Sequence, residues 1–212
     1  IVVSEFEKRL LINNNISSQK IEIIPNGFDS LEYLNLPHKN QFKCKFNISK
    51  NEKIILYLGR INKMKGVDIL VKSFSQIVKK HDNFRLVIVG PDEGFRFYLE
   101  KMIESYKLID KVIFTGPLFN KKKLSVLVDA DVLVYPSKYE IFGLVPFEAL
   151  MCNTPVIVST GTGCSELILA SNSGISFEYG NTYQLTDKIL ELVDNKELSK
   201  LLVLNGKTYV NV

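Results

Sequence analysis

Short β-branched and aliphatic runs alternate along this chain with stretches whose apolar residues recur every three to four positions. The runs are Ile21–Ile24, Ile54–Leu58, Leu86–Val89, Val112–Phe114, Val132–Tyr135, Val156–Val158 and Gly174–Phe177. Between them, Val67, Leu70, Val71, Phe74 and Val78 fall on one helical face, and Leu99, Met102, Ile103 and Tyr106 on another. Runs that are apolar throughout, with no polar alternation, predict strands buried on both faces. Single helical segments between them predict right-handed βαβ crossovers. The expected fold is therefore α/β, a doubly wound Rossmann-like parallel sheet with helices on both faces. In such a sheet ligands bind beyond the carboxyl ends of the strands. That directs attention to the loops opening at Gly59-Arg60, at Gly90–Gly94, at Pro136-Ser137 and at Thr160–Gly163.

Composition narrows the class. With 212 residues, 46% hydrophobic and 24% charged, the chain is long enough for one large core that buries about 70% of its unfolded surface. The net charge of +4 is spread over the whole length, too diffuse for a nucleic-acid stripe, so no nucleic-acid partner is expected. The local cluster Lys121–Lys123 reads as a solvated helix start. Three cysteines, Cys44, Cys152 and Cys164, lack C-x-x-C spacing, and His38 and His81 are the only histidines. Ordinary thiols in a reducing compartment are expected, with neither a disulfide framework nor a zinc site. No apolar stretch reaches the roughly 18 residues that span a bilayer. A cytoplasmic location is expected, with peripheral contact at an inner membrane face left open.

Two motifs carry chemistry. In Glu140-Ile-Phe-Gly-Leu-Val-Pro-Phe-Glu148 one carboxylate lies in a loop and another inside a helix that starts between them. The unpaired N–H groups of the first turn, near Gly143, Leu144 and Val145, attract an anion through hydrogen bonds and the helix dipole. Pro146 fits that turn because its missing N–H costs little there. Glu140 and Glu148 are then candidate acceptors for sugar and ribose hydroxyls; the alternative is a polar loop residue and a solvated helix residue. Upstream, Gly59-Arg60-Ile-Asn-Lys-Met-Lys65-Gly66 supplies cations after the run Ile54–Leu58. Asp129-Ala-Asp131 has a spacing seen at divalent-metal sites, but it precedes the strand Val132–Tyr135 and so belongs to the edge opposite the ligand crevice. Val89–Gly94 lacks the G-x-G-x-x-G of dinucleotide folds.

Together the two motifs resemble the C-terminal, donor-binding half of family 4 (group 1) retaining glycosyltransferases of GT-B fold. The resemblance implies that Arg60, Lys65 and Gly66 grip the donor diphosphate. It implies that Glu140, Phe142, Gly143 and Glu148, with the first-turn residues Leu144 and Val145, hold sugar and ribose, and that a backbone group near Leu118 reads the base after the loop Phe114-Thr-Gly116. Arg60, Lys65 and Glu140 become the catalytic candidates: the cations stabilise the leaving diphosphate, and Glu140 orients the donor sugar and steadies positive charge at its ring. No metal and no further cofactor is expected. Gly161-Thr-Gly163 departs from the adjacent glycines of the family, which leaves Thr162 without a role and loop glycines as an equal reading.

The resemblance also implies an organisation. Residues 1–30 correspond to the end of an N-terminal domain and an interdomain hinge at Ile24–Asp29, and 31–212 to the nucleotide-sugar-binding domain, one half of a GT-B enzyme. The partners implied are a nucleotide-sugar donor, a glycan or lipid-linked acceptor, and an acceptor domain not contained in this sequence. The alternatives are a non-catalytic nucleotide-binding module or one subunit of a two-chain glycosyltransferase.

Overall fold

The computed structural model describes residues 1–210, so the last two positions of the expected second domain lie outside it. Helix α1 (Glu5–Asn13) opens the chain and a short α2 (Gln41–Lys45) precedes the sheet. Then β1 (Lys53–Leu58), α3 (Val67–Ile77), β2 (Phe84–Val89), α4 (Arg96–Ser105), β3 (Val112–Gly116), α5 (Asn120–Asp129) and β4 (Val132–Tyr135) alternate. The second half runs α6 (Leu144–Met151), β5 (Val156–Ser159), α7 (Gly163–Ala170), β6 (Ile175–Phe177), α8 (Thr182–Asp194) and α9 (Lys196–Val210).

The six strands are parallel, in the order β3-β2-β1-β4-β5-β6. Their side chains alternate between two apolar layers. Ile55, Tyr57, Leu86, Ile88, Val132 and Val134 face a core closed by α3, α4 and α8. Ile54, Leu56, Leu58, Val87, Val89 and Leu133 face a second core closed by α5, α6 and α7. Burial on both faces explains why the sequence showed unbroken apolar runs where a one-sided sheet would alternate.

Chain order reverses between β1 and β4, which pair through Ile55 with Val132 and Leu56 with Leu133. Crossovers on the two sides of this point go to opposite faces, so the loops after β1 and β4 part and leave a crevice at their carboxyl ends. Both motif loops open there.

Two expectations change. Ile21–Ile24 forms no strand of the sheet: Ile23 makes an isolated bridge with Val2, and Val2 N–H and O bond Glu22 O and Ile24 N–H, so the run pairs with the short N-terminal segment instead. Tyr106 falls just beyond α4 as its C-cap and is exposed, outside the buried face of Leu99, Met102 and Ile103.

Candidate functional site

The loop after β1 is shaped by Asn62, whose side chain accepts from the N–H groups of Met64 (3.0 Å) and Lys65 (3.2 Å). This tight turn ends on Gly66 at φ +65°, where a Cβ would stand 2.1 Å from the Pro136 carbonyl oxygen. No other residue fits so close an approach. The loop after β4 is tied to it by Lys138 N–H donating to Met64 O at 2.8 Å. The loop after β5 joins them: Gly163 N–H donates to Glu140 O at 2.8 Å, and the Ser159 hydroxyl donates to Ser137 O. Three loops thus share one backbone framework.

At its centre lies an ion pair. Lys65 Nζ is 2.6 Å from Glu140 Oε2, with both side chains mostly buried, and the Tyr135 hydroxyl donates to the same oxygen at 2.6 Å. Burial first, and the nearby Glu140 charge second, push the Tyr135 phenol well above its ordinary range, so it stays a proton donor here. Lys65 also lies 5.6 Å from the Tyr135 ring centre. Both bonds fall on Oε2, which leaves Oε1 of Glu140 for another donor.

Helix α6 begins beside this pair on Gly143 at φ +77°, a cap without a side chain. The contrast with its neighbours is informative. Asp92 accepts from the N–H groups of Gly94, Phe95 and Arg96 at the start of α4, and Thr162 with Ser165 forms a capping box on α7. Thr162 therefore has a structural task. At α6 the first-turn N–H groups of Leu144 and Val145 have no acceptor within the helix. A cavity of about 400 Å³ covers this region, lined by Lys65, Tyr135, Glu140, Phe142, Gly143 and Leu144, and on the other side by Val2, Val3 and Glu7 of the N-terminal segment. A larger depression of about 760 Å³ between α8 and α9 is lined by Asp187, Glu191, Asp194 and Glu197 with one lysine, Lys196, a lining short of the cations and free N–H groups that suit a phosphate. Size alone does not mark the site.

The remaining expected residues are more dispersed. Arg60 lies on the exposed rim, its guanidinium 2.9 Å from Glu93, which also accepts from Asn62 at 2.6 Å. These hydrogen bonds, from Asn62 first and then Arg60, hold the Glu93 carboxyl below its usual range. Gly66 shapes the first loop without lining the cavity. Leu118 and Val145 are partly buried against the second core. Glu148, one turn into α6, pairs with Lys123 at 3.0 Å.

This corrects the reading of Lys121–Lys123 as a uniformly solvated helix start: Lys121 and Lys122 are exposed, whereas Lys123 turns inward. The sequence reading also passed over Tyr135, Glu93 and Glu7. Tyr135 carried a signal, as the one polar-tipped residue closing an otherwise aliphatic strand at the ligand edge. Asp129 and Asp131 are engaged by the backbone: Asp129 accepts from Phe42 and Lys43 N–H, and Asp131 from Ile54 N–H. Among the described residues no cluster of three or more His, Cys, Asp or Glu is placed to hold a metal ion, and no helix is long and apolar enough to cross a membrane.

Comparison with known proteins places the chain in a family and its fold among solved structures. Residues 38–209 match the family model described as "Glycosyl transferases group 1". An uncharacterized glycosyltransferase of Methanocaldococcus jannaschii is 34% identical over 164 residues, covering 76% of this chain and 42% of that relative. Sucrose-phosphate synthase from Thermosynechococcus elongatus shares the structure at a TM-score of 0.83 and 29% identity, over 99% of this chain and 52% of that one. S. aureus TarM, solved with UDP and α-GlcNAc-glycerol, matches at a TM-score of 0.78 and 26% identity, over 99% of this chain and 39% of that one. The chain spans about half the length of the curated relatives it matches.

Proposed function

This chain belongs to the group 1 glycosyl transferases, and from that premise we propose that its crevice binds a nucleotide-diphosphate sugar. The observation that carries the reading is the convergence, at the reversal of strand order, of Lys65, Glu140 and an uncapped helix start in one cavity. An anion fits the first-turn N–H groups of α6 and the Lys65 ammonium together. The ammonium has three donors, so it can bond phosphate oxygens while keeping Glu140. Arg60 adds a planar fork at the rim. The UDP bound by TarM makes uridine diphosphate the first probe.

The proposed chemistry is glycosyl transfer with retention. As the bond from the anomeric carbon to the phosphate oxygen breaks, the leaving diphosphate gains negative charge and the sugar becomes oxocarbenium-like. Arg60, Lys65 and the α6 N-terminus meet the first change; one such contact is typically worth roughly 3 to 4 kcal/mol in a transition state. Glu140, its Oε2 fixed by Tyr135 and Lys65, turns Oε1 to the sugar hydroxyls and the developing positive charge. Glu148 takes the ribose hydroxyls, and a backbone group near Leu118 the base. These cations and N–H groups balance the diphosphate charge without a metal.

In this reading residues 1–30 are the end of a first domain and a hinge, and residues 31–212 the donor domain of a longer enzyme. The acceptor is a glycan or lipid-linked hydroxyl held by the other domain, at a cytoplasmic or membrane-peripheral site. Attack requires the acceptor oxygen about 3 to 3.5 Å from the anomeric carbon, so the 212-residue chain alone should bind donor and transfer no sugar. The test is a thermal-shift panel of UDP, GDP, ADP and their sugars. A ligand of the folded state at a hundredfold excess over Kd adds about 2.7 kcal/mol of stability; no shift with any of them would remove the proposal.

A further inference from the structure

Glu148 does not stand free on α6. Its Oε1 lies 3.0 Å from Lys123 Nζ, and the two side chains keep only 17% and 22% of their exposure. Tyr33, at the end of the short turn Ser30–Tyr33 that precedes α2, is also buried, and burial first and the Glu148 charge second push its phenol well above the ordinary range. Lys123 is the odd member of its cluster. Three lysines in the first turn of α5, with no acidic residue there, oppose the helix dipole. Two of them reach solvent, and the third is compensated by a carboxylate from another helix, 25 positions away.

We propose that Lys123 is a positioning residue for nucleoside recognition. It holds Glu148 by one oxygen, so that the other meets the ribose hydroxyls, and thereby sets this chain's preference for ribo- over deoxyribonucleotides. The inference rests on the reading that the crevice binds a nucleoside diphosphate. A glutamate has three rotatable bonds, and an unpaired one on a helix surface would spend its time in water. Pairing with Lys123 selects one rotamer and compensates the carboxylate in a mostly dry place, where a lone charge would be costly. An ionised acceptor makes the stronger hydrogen bond to a hydroxyl.

The experiment measures Kd for UDP, GDP and ADP and for their 2′-deoxy counterparts, by calorimetry without added metal. Wild type should favour the ribo form by on the order of tenfold, the worth of one hydrogen bond to a charged group. Lys123→Met should lose most of that ratio with affinity for the deoxy form unchanged, and Lys123→Arg should keep it. Equal weakening of both forms in Lys123→Met, or an unchanged ratio, overturns the proposal.

Because Lys123→Met leaves the Glu148 charge without its partner and could unfold the domain, the double variant Lys123→Met/Glu148→Gln is measured as well. It should match Glu148→Gln alone in its ribose ratio; a further loss would mean that Lys123 does not act through Glu148, and would overturn the proposal too. If no diphosphate binds wild type, the function proposed above fails along with this inference. If they bind and the ratio ignores Lys123, only this inference fails.

Discussion

Replacing Gly143 by alanine should damage stability and sugar binding together. The residue sits at φ +77°, and an added Cβ would stand 2.8 Å from Cys164 Sγ, 3.0 Å from Cys164 Cβ and 3.2 Å from Glu140 Cγ. Holding a non-glycine residue in that backbone region costs about 1 to 3 kcal/mol, and forcing a methyl against well-packed neighbours about 1 to 3 kcal/mol more. Cys164 is buried beneath the helix start, so it yields little, and the sum falls at about 2 to 4 kcal/mol if relaxation is shared. For a chain of this size that lowers Tm by roughly 4 to 16 °C. Calorimetric melting of Gly143→Ala against wild type measures it. Adding Cys164→Ala removes the sulfur contact but not the backbone strain, so it should restore part of the loss relative to Cys164→Ala alone. Because the new methyl also pushes Glu140, the nucleotide sugar should lose more affinity than the bare nucleotide. A variant that melts within about 1 °C of wild type and keeps its sugar preference would refute the account of how this helix start is held.

Three further outcomes are expected. Nucleoside diphosphate should stabilise the domain equally with magnesium and with chelator; stabilisation confined to magnesium would contradict the metal-free charge balance. Glu148→Gln should weaken nucleotide and nucleotide sugar alike, whereas Glu140→Gln should spare the nucleotide and reduce the advantage of the sugar; equal losses in both variants would remove the division of roles. Native alkylation followed by mass spectrometry should modify Cys44, which is exposed, and spare Cys152, whose thiol burial and the Glu148 charge push up to about 12, and Cys164, which is also buried; rapid modification of Cys164 at neutral pH would show that the floor under Gly143 is open.

What the sequence displayed was local. The apolar runs of β1, β2, β4 and β5 are unbroken because both faces of each strand are buried, and the α3 face is visible because Val67, Leu70, Val71 and Phe74 recur at helical spacing. The same local logic misled at Ile21–Ile24, where a β-like run meets no strand of the sheet. The two site motifs were legible as residue types, and the α6 start between Glu140 and Glu148 was expected where it occurs. That their loops would share one crevice followed from the strand ends; the direct Lys65–Glu140 ion pair did not. Lys65 and Glu140 are 75 positions apart, and only the placement of β4 beside β1 joins their loops. The Lys123 pairing was hidden for the same reason, since its neighbours Lys121 and Lys122 made it look like part of a solvated cluster.

The most direct measurement is a crystal structure of the chain with UDP or its sugar. The account predicts a phosphate within hydrogen-bond distance of the Leu144 or Val145 N–H and of Lys65 Nζ, the Arg60 guanidinium swung from Glu93 toward it, and the ribose at Glu148. Nucleotide density at another edge of the sheet, or phosphates that leave the Lys65–Glu140 cavity and the α6 N-terminus empty, would contradict it.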